Sequence, residues 1–244
     1  MIENLLLTLG ALAAAVISGA TGFGFALAAT ALWSLALEPR LVTPLVLVFT
    51  TLLNIGYLPI FWRDIDLRRL APFALGSSLG VPIGAYALSR LPSDTLRMGL
   101  GALLLAYGGF MLTRRPAAAL TLGPRAARLG DGIVGFLGGF FGGLGGLSGF
   151  LPALWCALRG WDKNTNRALI QAYILFSNAL SLLWIGGLVG VADGVPSRVL
   201  LMLPFVVLGG WLGLKVFARL NTAAFNRAVL WVIAGSGAVL LLRA

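Results

Sequence analysis

The chain has 244 residues, 59% of them apolar and only 11% charged, against roughly 25% charged in a soluble domain that must cover its surface with them. This balance excludes a soluble globular protein and points to an all-α integral membrane protein. The absence of histidine, with Cys156 as the only cysteine, removes intramolecular disulfides, cysteine-rich metal sites and most histidine-based catalysis.

The first apolar block, Asn4–Leu37, would be about 50 Å long as one straight helix, against a bilayer core of about 30 Å. It is interrupted by Ser18-Gly19-Ala20-Thr21-Gly22-Phe23-Gly24. Three uninterrupted blocks follow: Leu41–Trp62, Leu70–Ser89 and Thr95–Thr113. A basic linker runs from about Arg114 to Leu129. The second set opens with Ile133–Leu158, interrupted at Gly142–Gly149 and then Pro152, and continues with Ala168–Val189, Val199–Arg219 and Ala224–Leu242. The runs are continuous and lack the ten-residue alternation of barrel strands, so they read as helices. Glycine admits backbone conformations no helix uses and proline lacks a donor, so each interrupted block reads as a helical hairpin, re-entrant or as two short spans.

The two sets resemble each other. Gly22-Phe23-Gly24 aligns with Gly143-Leu144-Gly145, and at the same spacing Leu35-Ala36-Leu37 falls on Cys156-Ala157-Leu158. Gly80 and Gly84 align with Gly209 and Gly213, Arg90-Leu91 with Arg219-Leu220, and Asn54 and Asn178 hold similar places. The expected organisation is one transmembrane domain over residues 1–244, with a repeat over about 1–113, a linker over about 114–129 and a second repeat over about 130–244. If each interrupted block returns to its starting side, Arg40, Arg90, Arg97, Arg198 and Arg243 face one side and the other 13 of the 18 basic residues face the other. If each crosses once, the split is even. The positive-inside rule selects the hairpins. The second repeat is then inverted, and both termini are expected outside the cytoplasm of a bacterial-type plasma membrane. The same rule accounts for the net charge of +10 without a nucleic-acid partner. The opening Met-Ile-Glu-Asn carries no basic segment, so a cleaved signal peptide is not expected.

Inverted repeats with broken helices are a common plan of secondary transporters, with substrate held where the breaks converge. A half-helix N-terminus offers N–H groups and partial positive charge to an anion. The candidate substrate-binding residues are therefore Thr21, Gly22, Phe23, Gly24, Asn54, Gly143, Gly145, Gly146, Ser148 and Asn178. Close helix packing competes as an explanation of the glycines. For Gly76, Gly80, Gly84, Gly209 and Gly213, spaced by four, it is the preferred one. Ser77, Ser78, Gln171 and Ser177 are further polar residues within the blocks. The eight acidic residues all fall at block ends or in loops, so no buried carboxylate is expected. Lys215 and Arg219 read as snorkelling cations, and Cys156 as a small buried hydrophobe. No dinucleotide fingerprint, phosphate-binding loop or zinc-protease motif occurs. Neither enzyme activity, cofactor nor metal is expected.

Taken together, the early Ser18–Gly24 segment, the glycine-rich second break ending at Pro152, the segment Arg159–Arg167 and the repeat pattern resemble the TauE/SafE, or sulfite exporter, family of membrane transporters. The resemblance covers nearly the whole chain. It implies movement of sulfur-containing anions such as sulfite and organosulfonates, usually outward; from the repeat plan, alternating access between the two hairpins is the expected mechanism. An anion channel, or a membrane scaffold that moves nothing, are the alternative readings. A lipid bilayer and a small anionic substrate are the expected partners, with a homo-oligomer left open.

Overall fold

The computed structural model describes residues 2–21, 24–113, 120–188, 194–217 and 222–243. Among them are ten α-helices: α1 (Ile2–Thr21), α2 (Phe25–Trp33), α3 (Pro39–Phe61), α4 (Leu67–Arg90), α5 (Ser93–Thr113), α6 (Pro124–Gly145), α7 (Phe150–Leu158), α8 (Lys163–Leu188), α9 (Val195–Phe217) and α10 (Thr222–Arg243). A 3₁₀ turn, Trp62–Asp64, extends α3. Helices α3, α4, α5, α8 and α9 are each long and apolar enough to cross a bilayer. Their outward faces are apolar too: Leu75, Leu79, Ile83 and Tyr86 stand exposed along α4, and Leu200, Val207, Leu208 and Trp211 along α9. Such stripes suit hydrocarbon and not water. The chain is an all-α, multi-pass membrane protein.

Both interrupted blocks break where glycine concentrates, giving α1 with α2 and α6 with α7. The linker is shorter than its composition suggests. Helix α6 starts at Pro124, because proline is well suited to the first helical turn, where its missing N–H has no partner to lose.

The helices divide into two compact units. The first comprises residues 1–49, 90–115 and 192–244, hence α1, α2, the first half of α3, α5, α9 and α10. Within it α1 packs along α9 and against α2, and α5 packs on α10. The α1–α9 seam has little room for side chains. A Cβ on Gly209 would meet the Leu12 carbonyl at 2.6 Å, and one on Gly213 would strike the Val16 carbonyl and approach Gly19 Cα. Helix α2 doubles back on α1, since Trp33 near its end donates Nε1–H to the carbonyl of Leu7 near the start of α1, at 3.2 Å. Phe25, Trp33 and Phe49 close this hairpin with ring centroids 5.9 to 6.2 Å apart.

The second unit comprises residues 50–89 and 116–191, hence the remainder of α3 with α4, α6, α7 and α8. Here α4 and α6 meet through glycines on both sides. Gly76, Gly80 and Gly84 lie against the backbone of α6 at Gly132, Phe136 and Phe140, while Gly135, Gly139 and Gly143 lie against α4 at Phe73, Ser77 and Val81. Packing therefore explains the α4 glycines, as it does Gly209 and Gly213. Helix α7 also doubles back. Trp155 Nε1 donates to Asp131 Oδ1 at 2.7 Å, and Arg159 Nη1 reaches the same oxygen at 2.8 Å. The expectation of no buried carboxylate is thus corrected: Asp131, near the start of α6, is buried. Sequence position put it at the edge of the membrane, but α7 folds over it with an arginine to neutralise it. Arg159 and Arg69 in turn both stack on Trp161, at 5.0 and 5.2 Å from its ring centre.

Helices α2 and α7 have nine residues each, about 13–14 Å at 1.5 Å per residue. That is less than half of the roughly 30 Å hydrocarbon core, so neither second arm crosses it.

Candidate functional site: the break between α6 and α7

Helix α6 ends because Gly146 turns left-handed, with φ of 72°, a conformation that costs glycine little and a side-chain-bearing residue more. The Gly146 N–H bonds back to the carbonyl of Gly142, and the Leu147 N–H to that of Phe141, which closes the end of α6. Helix α7 starts after Gly149, which supplies no side-chain cap. The first-turn amides of a helix have no partner inside it, and Pro152 has no N–H. The start of α7, which has no side-chain cap, therefore sets the positive end of its dipole at the turn formed by Leu147, Ser148 and Gly149.

Ser148 connects that turn to α8. Its hydroxyl donates to Asn178 Oδ1 at 2.8 Å; Ser148 is 1% exposed and Asn178 not at all. The other end of the amide, Asn178 Nδ2, is buried without a hydrogen-bond partner. Magnitudes decide how to read this. A side-chain hydrogen bond between membrane helices contributes about 0.6 kcal/mol on average and at most about 1.7, whereas burying an amide donor unsatisfied costs about 1–3 kcal/mol. Stability alone does not account for an asparagine here.

More polar groups surround the break. Ser77 Oγ on α4 and Ser177 Oγ on α8 are 3.0 Å apart, and Ser181 donates to the Ser177 carbonyl at 2.8 Å. The Tyr173 hydroxyl donates to the Gly135 carbonyl at 2.8 Å. Gly138 and Gly142 leave the space these groups use. A Cβ on Gly138 would come within 2.6 Å of the Tyr173 hydroxyl, and one on Gly142 within 3.1 Å of Ser177 Oγ.

Of the residues proposed from sequence, Ser148 and Asn178 are thus brought together, with Gly146 forming the turn that ends α6 just before Ser148. Gly143 and Gly145 lie inside α6; their N–H groups belong to the helix rather than to a freed segment, and Gly143 serves the α4 contact. Thr21 is the last residue of α1, and Gly24 precedes α2 without a side-chain cap. Gly22 and Phe23 lie outside the described residues. Asn54 differs from Asn178. Its Nδ2 donates to the carbonyl of Thr50, one turn earlier, at 2.7 Å, and its Oδ1 is the atom left without a partner.

Sequence reasoning missed Tyr173, and by starting the block at Ala168 it left Arg167 just outside the helix. Arg167 is in the second turn of α8, inside the stretch able to cross the membrane, with its guanidinium carbon 4.6 Å from the centre of the Phe61 ring. The available signal was spacing: Arg167, Gln171 and Asn178 share one helical face once α8 starts at Lys163 and not at Ala168.

A family model described as "Sulfite exporter TauE/SafE" matches residues 6–240. The chain belongs to the TauE/SafE sulfite exporter family. A TauE/SafE relative from Cupriavidus necator, named a probable sulfite/organosulfonate exporter TauE, is 31% identical over 236 residues, covering 92% of this chain and 88% of the relative. No solved structure matches the chain.

Proposed function

We propose that this TauE/SafE member is a secondary transporter that carries small sulfur-containing anions, such as sulfite or organosulfonates, out of the cell by alternating access. The anion binds at the α6–α7 break. One observation carries this reading: the fully buried Asn178 amide, held by Ser148, keeps a donor without an acceptor beside the uncapped start of α7. An oxyanion supplies the acceptor, and the dipole of α7 favours its charge. The name of the Cupriavidus relative supports sulfur oxyanions as the class.

The same reading takes the chain as two inverted repeats. Gly80 and Gly84 touch Phe136 and Phe140 much as Gly209 and Gly213 touch Leu12 and Val16. Matching those contacts places residue 12 on 136, 16 on 140 and Gly19 on Gly143; Asn54 then falls on Asn178 at that spacing. This register replaces the alignment of Gly22 with Gly143. Both termini lie outside the cytoplasm in this reading, which rests on the distribution of arginines and lysines and on the return of both hairpins.

The test is titration of detergent-purified protein with sulfite, thiosulfate, methanesulfonate, sulfate and acetate, followed by flux into liposomes. Saturable binding of the sulfur anions, with flux that runs uphill under an imposed gradient, is the expected result. Flux that neither saturates nor runs uphill identifies a channel, and absence of binding to every anion overturns the proposal.

A further inference from the structure

The turn between α6 and α7 holds a second orphan group, opposite in kind to the Asn178 amide. Gly149 has helical dihedrals, with φ of −85° and ψ of −20°, so the peptide before it is already aligned with α7. The Ser148 carbonyl therefore points along the helix toward residue 152, whose N–H would be its partner in the i to i−4 pattern. Residue 152 is proline and has no N–H. The first bond of α7 runs instead from the Ala153 N–H to the Gly149 carbonyl, at 3.0 Å. Ser148 is 1% exposed, and among the described residues no donor reaches its carbonyl. A buried acceptor without a donor is costly and calls for an explanation.

The side chains around that carbonyl are rich in acceptors as well. A Cβ on Gly138 would lie 2.6 Å from the Tyr173 hydroxyl and 2.9 Å from the Ser148 carbonyl, so these two oxygens face one small space. Ser77 and Ser177, with their Oγ atoms 3.0 Å apart, are both within hydrogen-bonding reach of the Tyr173 hydroxyl. All three residues are fully buried. Each hydroxyl has a single donor and two acceptor lone pairs, and Tyr173 directs its donor away, to the Gly135 carbonyl. The two serine protons are left to serve the lone pairs of three hydroxyls and a carbonyl. Acceptors outnumber donors. None of these oxygens carries a charge, and the buried carboxylate of α6, Asp131, is already paired with Arg159.

We propose that this group of oxygens, the Ser148 carbonyl with the hydroxyls of Ser77, Tyr173 and Ser177, binds an alkali-metal cation, and that cation and anion bind as a linked pair on the two sides of Ser148. Hard cations take oxygen ligands, and ligands that are all neutral suit a single positive charge. Unwound carbonyls coordinate cations in transporters with broken helices. Ser148 turns its carbonyl to the cation and its hydroxyl to Asn178, while Ser177 and Asn178 are consecutive on α8. Opposite charges on either side of one buried residue attract strongly, because little water screens them. The inference rests on the anion-transport reading above and adds to it the ion that accompanies the substrate.

The experiment titrates detergent-purified protein with sulfite in sodium, potassium and choline chloride at equal ionic strength. In parallel, binding of radioactive Na⁺ and Rb⁺ is measured with and without sulfite. Sulfite affinity is expected to be about tenfold higher in one alkali salt than in choline, and the salt that raises it identifies the ion. Sulfite should raise the affinity for that cation by the same factor, because linkage is reciprocal. Tyr173→Phe removes one ligand oxygen and should cut the alkali-to-choline ratio to about threefold or less. Pro152→Ala supplies the missing N–H to the Ser148 carbonyl, and should bring the ratio close to one without lowering thermal stability. If Tyr173→Phe does not fold, Pro152→Ala decides, and an unchanged ratio in that variant overturns the inference. Equal and normal sulfite affinity in all three salts assigns the carbonyl to a buried water and overturns the inference alone. A protein that binds no sulfite in any salt overturns the functional proposal, and the linkage with it.

Discussion

The two hairpins of this protein are built alike and finished differently. In the first unit α1 is pressed on α9 through Gly209 and Gly213, and in the second α6 is pressed on α4 through Gly80 and Gly84, with backbone meeting backbone in both. What holds the returning arm is not shared. Helix α2 is secured by an aromatic cluster of Phe25, Trp33 and Phe49 and one bond from Trp33 to Leu7. Helix α7 is secured by the buried carboxylate of Asp131, which receives both Trp155 and Arg159. The turns differ as well: Ser148 reaches an asparagine on α8, whereas Gly24 precedes α2 with no side chain to reach anything. The comparison teaches that backbone seams and polar chemistry can be changed independently. One hairpin keeps the architecture, and the other adds a buried polar pair, Ser148 with Asn178, to it.

The largest expected effect tests how the second hairpin is secured. Asp131→Ala leaves Arg159, mostly buried, without its carboxylate, and breaking such a pair costs about 3–5 kcal/mol. Thermal unfolding in detergent should show a large drop. In the first hairpin, Trp33→Phe should cost only about 0.5–1.5 kcal/mol, the worth of one hydrogen bond. Equal losses would erase the distinction between a charged and an aromatic clasp.

Next in size is the contrast between the asparagines. Asn178→Leu removes a donor to a charged ligand, worth about 1.5–3 kcal/mol, and should weaken sulfite binding roughly 10-fold to 150-fold. Asn54→Leu should change it less than about threefold, because its amide already donates to Thr50. Titration of the two variants side by side checks this, and an Asn54 effect as large as that of Asn178 would make both halves parts of the site. A comparable energy governs the seams. Gly80→Val and Gly209→Val each force a branched side chain against backbone, at about 1–3 kcal/mol, and should lower the melting temperature alike. Tolerance of one and not the other would end the equivalence of the seams. Smallest is Ser148→Ala, which loses one neutral hydrogen bond and should weaken binding about 2-fold to 10-fold. The converse change, Gly24→Ser, should leave binding unaltered.

The sequence made the membrane class, the broken blocks and the packing role of Gly80, Gly84, Gly209 and Gly213 readable, because each is written in local composition and spacing. Ser148 and Asn178 were also readable, as polar residues in apolar blocks. That they bond to each other, while Asn54 bonds to its own helix, was not. The choice depends on what the neighbouring turn offers, and the serine lies 30 positions away from its partner. Asp131 was misread for the same reason: burial is decided by α7 folding over it. The start of α8 was placed after Arg167 because helix starts lie in polar segments, where hydropathy gives no signal.

The exchange of helices between the halves has a consequence for how the protein is made. Helix α1 completes its glycine seam with α9, and Gly19 meets its partners at Gly210 and Gly213. Almost the whole chain must be translated between those points. At about 5–20 residues per second, the small-residue face of α1 waits about 10–40 s in the bilayer before its mate arrives, while α4 and α6 can join much sooner. During synthesis the second unit is therefore complete before the first, although the first is begun earlier. A ribosome stalled within α9 would leave the second unit finished and the small-residue face of α1 uncovered, a surface open to quality-control proteases or to a second nascent chain.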